Sequence, residues 1–157
     1  MIDARRFPCV VGDVVVRTDG GEESWLAGAI VLREGELAAC VLYVAPDAGG
    51  DRAVYARARP HDELAWLRPV VLEVGREPPA AIELEGSRFE RARRLPMHAA
   101  TVGEGAPDLG PTVVLGEYVG SRGAVAVVLA GSAGSRAWRG VTLAKDEYEV
   151  WTSGARP

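Results

Sequence analysis

Residues 124–129 read Ala-Val-Ala-Val-Val-Leu, and this run decides the class of fold. It contains no charged or polar side chain, and glycines stand on both sides of it at Gly120, Gly123, Gly131 and Gly134. A short apolar run of this kind between turn residues predicts a β-strand. Because every side chain in the run is apolar, we expect both faces of the strand to be buried.

The composition is that of an ordinary globular domain. The chain has 157 residues, of which 48% are hydrophobic and 25% charged. At this length a fold buries roughly 70% of the surface of the unfolded chain, so a disulfide or metal is not needed to hold a core together. The 19 glycines and 10 prolines are spread along the chain and predict many short elements joined by turns. We expect a single domain over residues 1–157.

Apolar runs separated by turn residues predict the strands. In the first half we expect strands at 10–18, 25–32, 37–44, 52–59 and 70–74. In the second half we expect them at 81–84, 88–94, 97–102, 112–119, 124–129 and 147–151. The segments 46–50, 103–111 and 131–136 are predicted to be connections, and 154–157 to be frayed. One or two helical turns are expected at 60–67, where acidic residues precede apolar ones.

The two halves, residues 9–75 and 80–152, repeat a similar order of features. Ala53-Val54 aligns with Ala124-Val125 at an offset of 71, and Trp66 aligns with Trp138 at an offset of 72. An internal duplication explains such a pattern. The fold class predicted is therefore mainly β, an antiparallel β-sandwich or open barrel built from two pseudo-repeated β-units, with at most one or two short helical turns.

Turn glycines and spaced aromatic residues form a longer pattern in the second half. Its members are Glu85-Gly86, Phe89, Leu95-Pro96, Gly103, Glu117-Tyr118, the run 124–129, Trp138-Arg139-Gly140-Val141 and Glu147-Tyr148-Glu149-Val150, and Gly12-Asp13-Val14-Val15 opens the first half. In this pattern most of the chain resembles the bacterial domain of unknown function family 4178. The resemblance implies a soluble bacterial β-rich domain with relatives among genes linked to envelope or membrane stress. It implies no catalytic residues, because that family has no settled activity.

Charge and hydropathy exclude several classes of partner. The formal net charge is −4 and the isoelectric point is about 5.3, so we expect no nucleic-acid partner. No apolar run approaches the ~20 residues of a membrane-spanning helix, and the first residues lack the apolar region of a signal peptide. We therefore expect a cytoplasmic protein in which Cys9 and Cys40 are reduced and pack as small apolar side chains.

Motifs for catalysis or cofactor binding are missing from the sequence. Cys9, Cys40, His61 and His98 stand apart and do not have the paired spacing of zinc ligands. The chain contains no Gly-x-Ser-x-Gly elbow, and the glycine-rich stretch 131–136 lacks the Gly-Lys-Ser/Thr end of a P-loop. We expect no metal or cofactor and do not favour an enzyme. A catalytic triad assembled only by the fold stays open as an alternative.

Two sets of residues are candidates for a site. Arg88, Arg91, Arg93 and Arg94 form the densest charge cluster. Regular alternation would put Arg91 and Arg93 on one face of a strand with Phe89, and Arg88 and Arg94 on the other with Glu90. Such a strand could hold an anionic partner, or it could be a solvated strand that resists edge-to-edge association.

Trp66 and Trp138 form the second set. Their matching places in the two halves favour a role as core anchors, and the alternative is a ligand-stacking pair in a cleft between the halves. From these features we predict a non-enzymatic protein-interaction module with an unidentified protein partner, and self-association is left open. The alternative function is binding of a small molecule or an anion in that cleft.

Overall fold

The computed structural model describes residues 5–46 and 51–152, and its regular structure is almost entirely β, as predicted. The first strands are β1 (Val14–Arg17), β2 (Glu23–Trp25), β3 (Gly28–Glu34), β4 (Leu37–Ala45), β5 (Arg52–Arg57) and β6 (Leu64–Val70). They are followed by β7 (Ala81–Leu84), β8 (Ser87–Gly103), β9 (Thr112–Val119), β10 (Ala124–Gly131), β11 (Gly134–Leu143) and β12 (Tyr148–Trp151). Short 3₁₀ turns at Ser121–Gly123 and Lys145–Glu147 are the helical elements of this part of the chain. The predicted loop at 46–50, apart from Pro46, and the predicted fraying at 154–157 lie outside the described residues.

Eight of these strands close into an antiparallel barrel. Their order around the barrel is β3-β4-β5-β6-β11-β10-β9-β8, and β8 pairs back onto β3 to complete the circle. The barrel is therefore closed, where the sequence predicted a sandwich or an open barrel. Closure leaves the barrel strands without free edges, which removes a route to aggregation.

The barrel consists of two four-stranded meanders, β3 to β6 and β8 to β11. The first strands of the two meanders pair with each other, and so do the last strands. Ala53-Val54 and Ala124-Val125 lie in the third strand of each meander, which agrees with the predicted correspondence at the level of strands. The offsets of 71 and 72 do not hold residue by residue, because each pairs a residue inside the barrel with one outside it: Ala53 with Ala124, and Trp138 with Trp66.

The barrel interior is a packed apolar core to which every barrel strand contributes. Its fully or nearly buried members are Ile30, Leu32, Cys40, Leu42, Ala53, Tyr55, Ala65, Leu67, Met97, Leu109, Val113, Leu115, Val127, Leu129 and Trp138. In the run that decides the fold, Val127 and Leu129 point into this core. Ala126 and Val128 pack in a second cluster outside the barrel wall. The prediction of a strand buried on both faces is confirmed for these residues.

Two smaller structures cover the outside of the barrel. A three-stranded sheet in the order β12-β1-β2 packs on one side, over a cluster that includes Val15, Tyr43, Trp66 and Tyr148. On the other side, β7 and the first residues of β8 form a hairpin that we call the outer arm (residues 81–91). Phe89 of the outer arm packs in the cluster with Ala126 and Val128. The outer arm thus explains why the barrel strand β10 is apolar on both faces.

The structure corrects the prediction for residues 60–74. The expected helical turns at 60–67 are wrong, because β6 begins at Leu64 and runs to Val70. Leu64 and Trp66 pack in the outer cluster, while Ala65 and Leu67 pack in the barrel interior. Burial on both faces removes the alternation that would mark a strand, so the run reads like a helix. The strand expected at 70–74 is wrong as well, since β6 ends at Val70.

Two further predictions for the second half are corrected. The segment 97–102 is not a separate strand, because it continues β8, which runs from Ser87 to Gly103. The connection predicted at 131–136 is only a tight turn, and β11 begins at Gly134. Gly131 and Gly134, at the ends of two long strands, close a hairpin instead of a longer connection.

Candidate functional site

A charged side chain lies inside the barrel near one of its mouths. Glu117 of β9 is only 6% exposed, although its neighbours on the strand are mostly apolar. It faces the interior, where it contacts Tyr55, whereas the next residue, Tyr118, packs in the cluster beneath the outer arm. A buried carboxylate without partners is strongly unfavourable, so its partners determine what this position can do.

The partners of Glu117 are a tyrosine and two arginines. The hydroxyl of Tyr55 and the Nε of Arg57 donate to Oε2, the latter at 3.2 Å. The Nη2 of Arg57 donates to Oε1, and the Nε of Arg93 lies 3.5 Å from the same atom. Two guanidinium groups around one carboxylate leave this network with an excess of one positive charge. We call these four residues the mouth network.

Local strand geometry brings the mouth network together. Tyr55 and Arg57 are two residues apart on β5, so both side chains lie on the same face. On β8 the pairing with β9 shifts at Ala92, so that Arg91 is opposite Tyr118 while Arg93 is opposite Glu117. This β-bulge directs Arg93 toward the buried carboxylate, and bulges often re-aim a side chain at a functional site.

The four arginines of the predicted charge cluster do not form one surface. Arg91 donates to the carbonyl oxygen of Pro78 at 2.7 Å, and Arg94 forms a two-bond ion pair with Glu77. The Nε of Arg88 lies 3.7 Å from Glu90 at the surface.

The expectation that Arg91 and Arg93 share a face is wrong, because the bulge at Ala92 interrupts the alternation. Of the four arginines, only Arg93 contributes to the mouth network.

A cavity of about 240 Å³ opens at this mouth beside the network. Its walls include the apolar side chains of Ala65, Val125 and Val127, and its polar residues include Arg57, Thr142 and the exposed Glu63. Typical ligand pockets measure about 300–1,000 Å³, so this cavity suits a molecule smaller than a drug. Convergent polar groups beside apolar walls are the usual arrangement of a binding site.

Burial and hydrogen bonding together keep Tyr55 and Arg57 protonated. Burial raises the pKa of Tyr55 well above its ordinary value, and the neighbouring Cys40 and Glu117 act in the same direction. The Tyr55 hydroxyl therefore keeps its proton and acts as a donor. Burial alone would lower the pKa of Arg57, but its hydrogen bonds to Glu117 outweigh that effect, and the net change is upward. The network is thus a carboxylate held by permanent donors.

The two tryptophans of the second candidate set are both buried, at 3% and 4% exposure. Trp66 packs in the outer cluster, where the guanidinium groups of Arg17 and Arg52 lie 5.7 and 5.1 Å from its ring centre. Trp138 packs in the barrel interior. Because they lie on opposite faces of the barrel wall, they cannot line one cleft. Their role as core anchors agrees with the structure.

The sequence reasoning missed three of the four members of the mouth network. Glu117 is the only charged residue in the strand Thr112–Val119, and that isolation was a usable signal. Tyr55 and Arg57 carry the i, i+2 spacing of one strand face, but their contact with Glu117 spans about 60 residues of sequence. A contact of that range is not visible in a single sequence.

Other kinds of site find no support in the described ranges 5–46 and 51–152. Within them, no group of three or more His, Cys, Asp or Glu side chains is placed to hold a metal ion. Within the same ranges, no helix is both long enough and apolar enough to cross a bilayer.

The chain is a closed eight-stranded antiparallel barrel with two outer covers and a charged network at one mouth. Comparison with protein-family models, curated proteins and solved structures gave no significant match. The resemblance to family 4178 therefore stays a prediction.

Proposed function

We propose that the protein binds a small organic anion, a carboxylate with a short apolar body, at the barrel mouth. The observation that carries the proposal is the guanidinium group of Arg57, which is held by Glu117 and lines a cavity with apolar walls. A guanidinium group has five N–H donors, and Arg57 uses two of its donor nitrogens on Glu117. Its side chain is still 35% exposed, so further donors are available to a ligand.

Glu117 prepares the site rather than binding the ligand. Both of its oxygens already have two partners each in the mouth network. It therefore has little capacity left to accept hydrogen bonds from a ligand, but it holds Arg57 in place. A prepositioned guanidinium binds a carboxylate with less loss of side-chain entropy than a free one.

The apolar walls select the body of the ligand. Ala65, Val125 and Val127 offer no hydrogen bond, so a short alkyl or aryl group fits beside them. The cavity volume of about 240 Å³ limits that body to a few carbon atoms or one ring. Tyr55 keeps its proton and Glu117 is fully paired, so neither acts as a base, and both instead hold Arg57 and the cavity wall in place.

Isothermal titration with butanoate, hexanoate, benzoate and the matching alcohols tests the proposal. We expect the carboxylates to bind and the alcohols to bind at least about tenfold more weakly. Arg57→Gln should abolish that preference, and Val125→Leu should weaken the longer chains more than the shorter ones. Arg88→Gln is the matched control, because Arg88 is a surface arginine outside the network. Equal binding of acids and alcohols, or no binding of either, would contradict the proposal.

A second candidate, the protein-interaction module predicted from the sequence, is favoured by a separate observation. Trp25 and Trp151 are 51% and 44% exposed, and each is directly opposite Val14 on the outer face of the three-stranded sheet. Two exposed indole rings on one face of a small sheet are typical of a protein interface. Sedimentation of the wild type and of the double variant Trp25→Ala, Trp151→Ala tests self-association.

Affinity capture from a bacterial lysate, with the wild type and the double variant Trp25→Ala, Trp151→Ala as baits, tests for binding of a different protein. A partner lost on double substitution would support this candidate, and identical behaviour of the two proteins would count against it. The cytoplasmic location and the link to envelope stress stay predictions from the sequence.

A further inference from the structure

A larger cavity, of about 580 Å³, lies away from the mouth network, where β8 passes between β3 and β9. Its polar lining comes from the side chains of Arg33, Glu34, Arg76, His98, Thr112 and Ser132. We call this group of residues the seam site. None of them belongs to the mouth network, so the two sites are separate.

The pairing register places three of these side chains in one row. Arg33 of β3 is directly opposite His98 of β8, and His98 is directly opposite Thr112 of β9. Neighbouring strands are about 4.8 Å apart, so the row spans roughly 10 Å. Each of the three is exposed, while Leu32, next to Arg33, packs in the barrel interior. The row therefore lies on the outer surface of the barrel.

Two more residues extend the row into a concave site. Ser132 follows Gly131, the last residue of β10, which is opposite Val113, so Ser132 lies in the turn beyond the end of the row and lines the same cavity. Arg76, from the segment between β6 and β7, also lines this cavity. Three strands, the turn between β10 and β11, and the segment between β6 and β7 thus contribute donors to a single concavity.

The arginines of the seam site have unused donors. Neither Arg33 nor Arg76 forms a hydrogen bond or ion pair with any residue in the described ranges, and both are exposed. Elsewhere on the barrel, Arg57, Arg91 and Arg94 are each bound to a protein oxygen. Two unpaired guanidinium groups beside an imidazole and two hydroxyl groups are suited to a tetrahedral oxyanion, because that ligand accepts hydrogen bonds in many directions.

We propose that the seam site binds the phosphoryl group of a small, soluble phosphate monoester. The guanidinium groups of Arg33 and Arg76 neutralise its charge, and Thr112 and Ser132 donate to its remaining oxygens. Pro96 and Val114 provide an apolar surface in the same cavity for the organic body. A volume of about 580 Å³ falls in the usual range for ligand pockets.

Glu34 limits the class of ligand. Its carboxylate lines the same cavity and disfavours a second anionic group on the ligand. A single phosphoryl group is therefore preferred over a polyphosphate or a nucleic-acid strand. The net charge of the whole chain, −4, acts in the same direction by repelling polyanions.

Phenyl phosphate is the probe for the test, with benzyl alcohol as its uncharged counterpart. In a titration followed by ¹H–¹⁵N NMR, we expect phenyl phosphate to shift the amide signals of residues 33, 98 and 112. Arg33→Gln and Arg76→Gln should each weaken binding by about tenfold, and Thr112→Val by a smaller factor. Arg88→Gln, ten residues from His98 on the same strand, should leave the affinity unchanged.

Three outcomes would overturn the proposal. They are the absence of saturable binding up to about 10 mM phenyl phosphate, equal affinities of the wild type and Arg33→Gln, and signal shifts confined to the barrel mouth. Vesicles containing phosphatidic acid distinguish a lipid headgroup from a soluble ester, and binding to vesicles alone would contradict the soluble ligand. Arg57→Gln separates this site from the proposed function, because it should leave phenyl phosphate binding intact.

Discussion

The guanidinium group of Arg139, on the barrel wall, lies 5.1 Å from the ring centre of Phe89, on the outer arm. The same group donates to the carbonyl oxygen of Leu84 at 2.9 Å and lies 3.3 Å from the carboxylate of Glu85. Arg68, directly opposite Arg139 on the neighbouring strand, forms a two-bond ion pair with Glu85. The turn of the outer arm is therefore fastened to two adjacent barrel strands.

The first prediction concerns this attachment. Arg139→Gln should lower the free energy of unfolding by about 1–2 kcal/mol, because it removes a cation–π contact and a charged hydrogen bond to Leu84. Urea denaturation measures the change. Arg136→Gln is the control, since Arg136 lies on the same strand but is exposed. Equal stability of the two variants would mean that Arg139 adds nothing measurable to the attachment of the arm.

The second prediction concerns the close approach of β6 and β11. A Cβ added to Gly140 would lie 1.8 Å from the carbonyl oxygen of Trp66, which is far inside van der Waals contact. Both strands are locked in the closed barrel and cannot separate without loss of other pairings. Gly140→Ala should therefore destabilise the fold by about 3 kcal/mol or more, or prevent folding.

Its control is Gly75→Ala, because a Cβ at Gly75 meets nothing within 4 Å. That substitution should leave the melting temperature unchanged or raise it slightly, through a less flexible unfolded chain. Thermal denaturation followed by circular dichroism compares the two. A folded Gly140→Ala variant with the melting temperature of the wild type would refute the close contact.

The third prediction concerns the two buried thiols. Burial raises the pKa of Cys9 to about 12 and that of Cys40 to about 11, from an ordinary value of 9.0. In the unfolded chain these thiols lose their protons near pH 9, whereas in the folded protein they keep them. The unfolded state therefore binds fewer protons above pH 9, and stability should fall as the pH rises from about 9 to about 12.

Reactivity toward a thiol reagent checks the same burial at neutral pH. At pH 8 the folded protein should react with iodoacetamide at least about a hundredfold more slowly than the urea-unfolded protein, because the thiolate is the reactive form. The variant Cys40→Ser should lose only a part of the alkaline instability, since Cys9 contributes independently. Rapid labelling of the native protein would contradict the buried positions.

The fourth prediction concerns the mouth network. Glu117→Gln keeps the shape of the side chain but leaves Arg57 and Arg93 without their counter-ion. Loss of one partner of a fully buried pair costs about 3–5 kcal/mol. Here the arginine side chains are 35% and 39% exposed, so water screens them, and we expect a loss of about 2 kcal/mol.

Added benzoate should restore part of that loss, because it can replace the missing carboxylate. Urea unfolding with and without benzoate measures the effect, and Glu90→Gln, at an exposed position of β8, is the control. A variant at Glu117 as stable as the control would show that the ion pair adds nothing to the fold.

Local patterns in the sequence identified most of the strands. The apolar run 124–129 and the hairpin at Glu85-Gly86 both have the structure that their residue types predict. The errors fall where burial is two-sided, as in β6, or where a strand carries a bulge, as at Ala92. In both cases the alternation of polar and apolar residues, which is the signal that a sequence offers, is lost.

The mouth network and the seam site could not be predicted from local sequence patterns. Arg93 was singled out from its charge, but its partner Glu117 became apparent only when β8 and β9 paired. Arg33, His98 and Thr112 are separated by long stretches of sequence, and the register of three strands places them side by side. Each of these residues taken alone looks like ordinary solvated surface.

The sequence by itself determined the β class, the turns and the apolar strands, because these depend on side-chain chemistry and backbone preference within a few residues. Only the tertiary structure decided that the barrel closes, that Trp66 and Trp138 lie on opposite sides of its wall, and that charged residues meet at a mouth and at a seam. These features depend on strand register between distant segments. Register is set by the packing of the whole core, where a shift of one residue exchanges the inner face of a strand for its outer face.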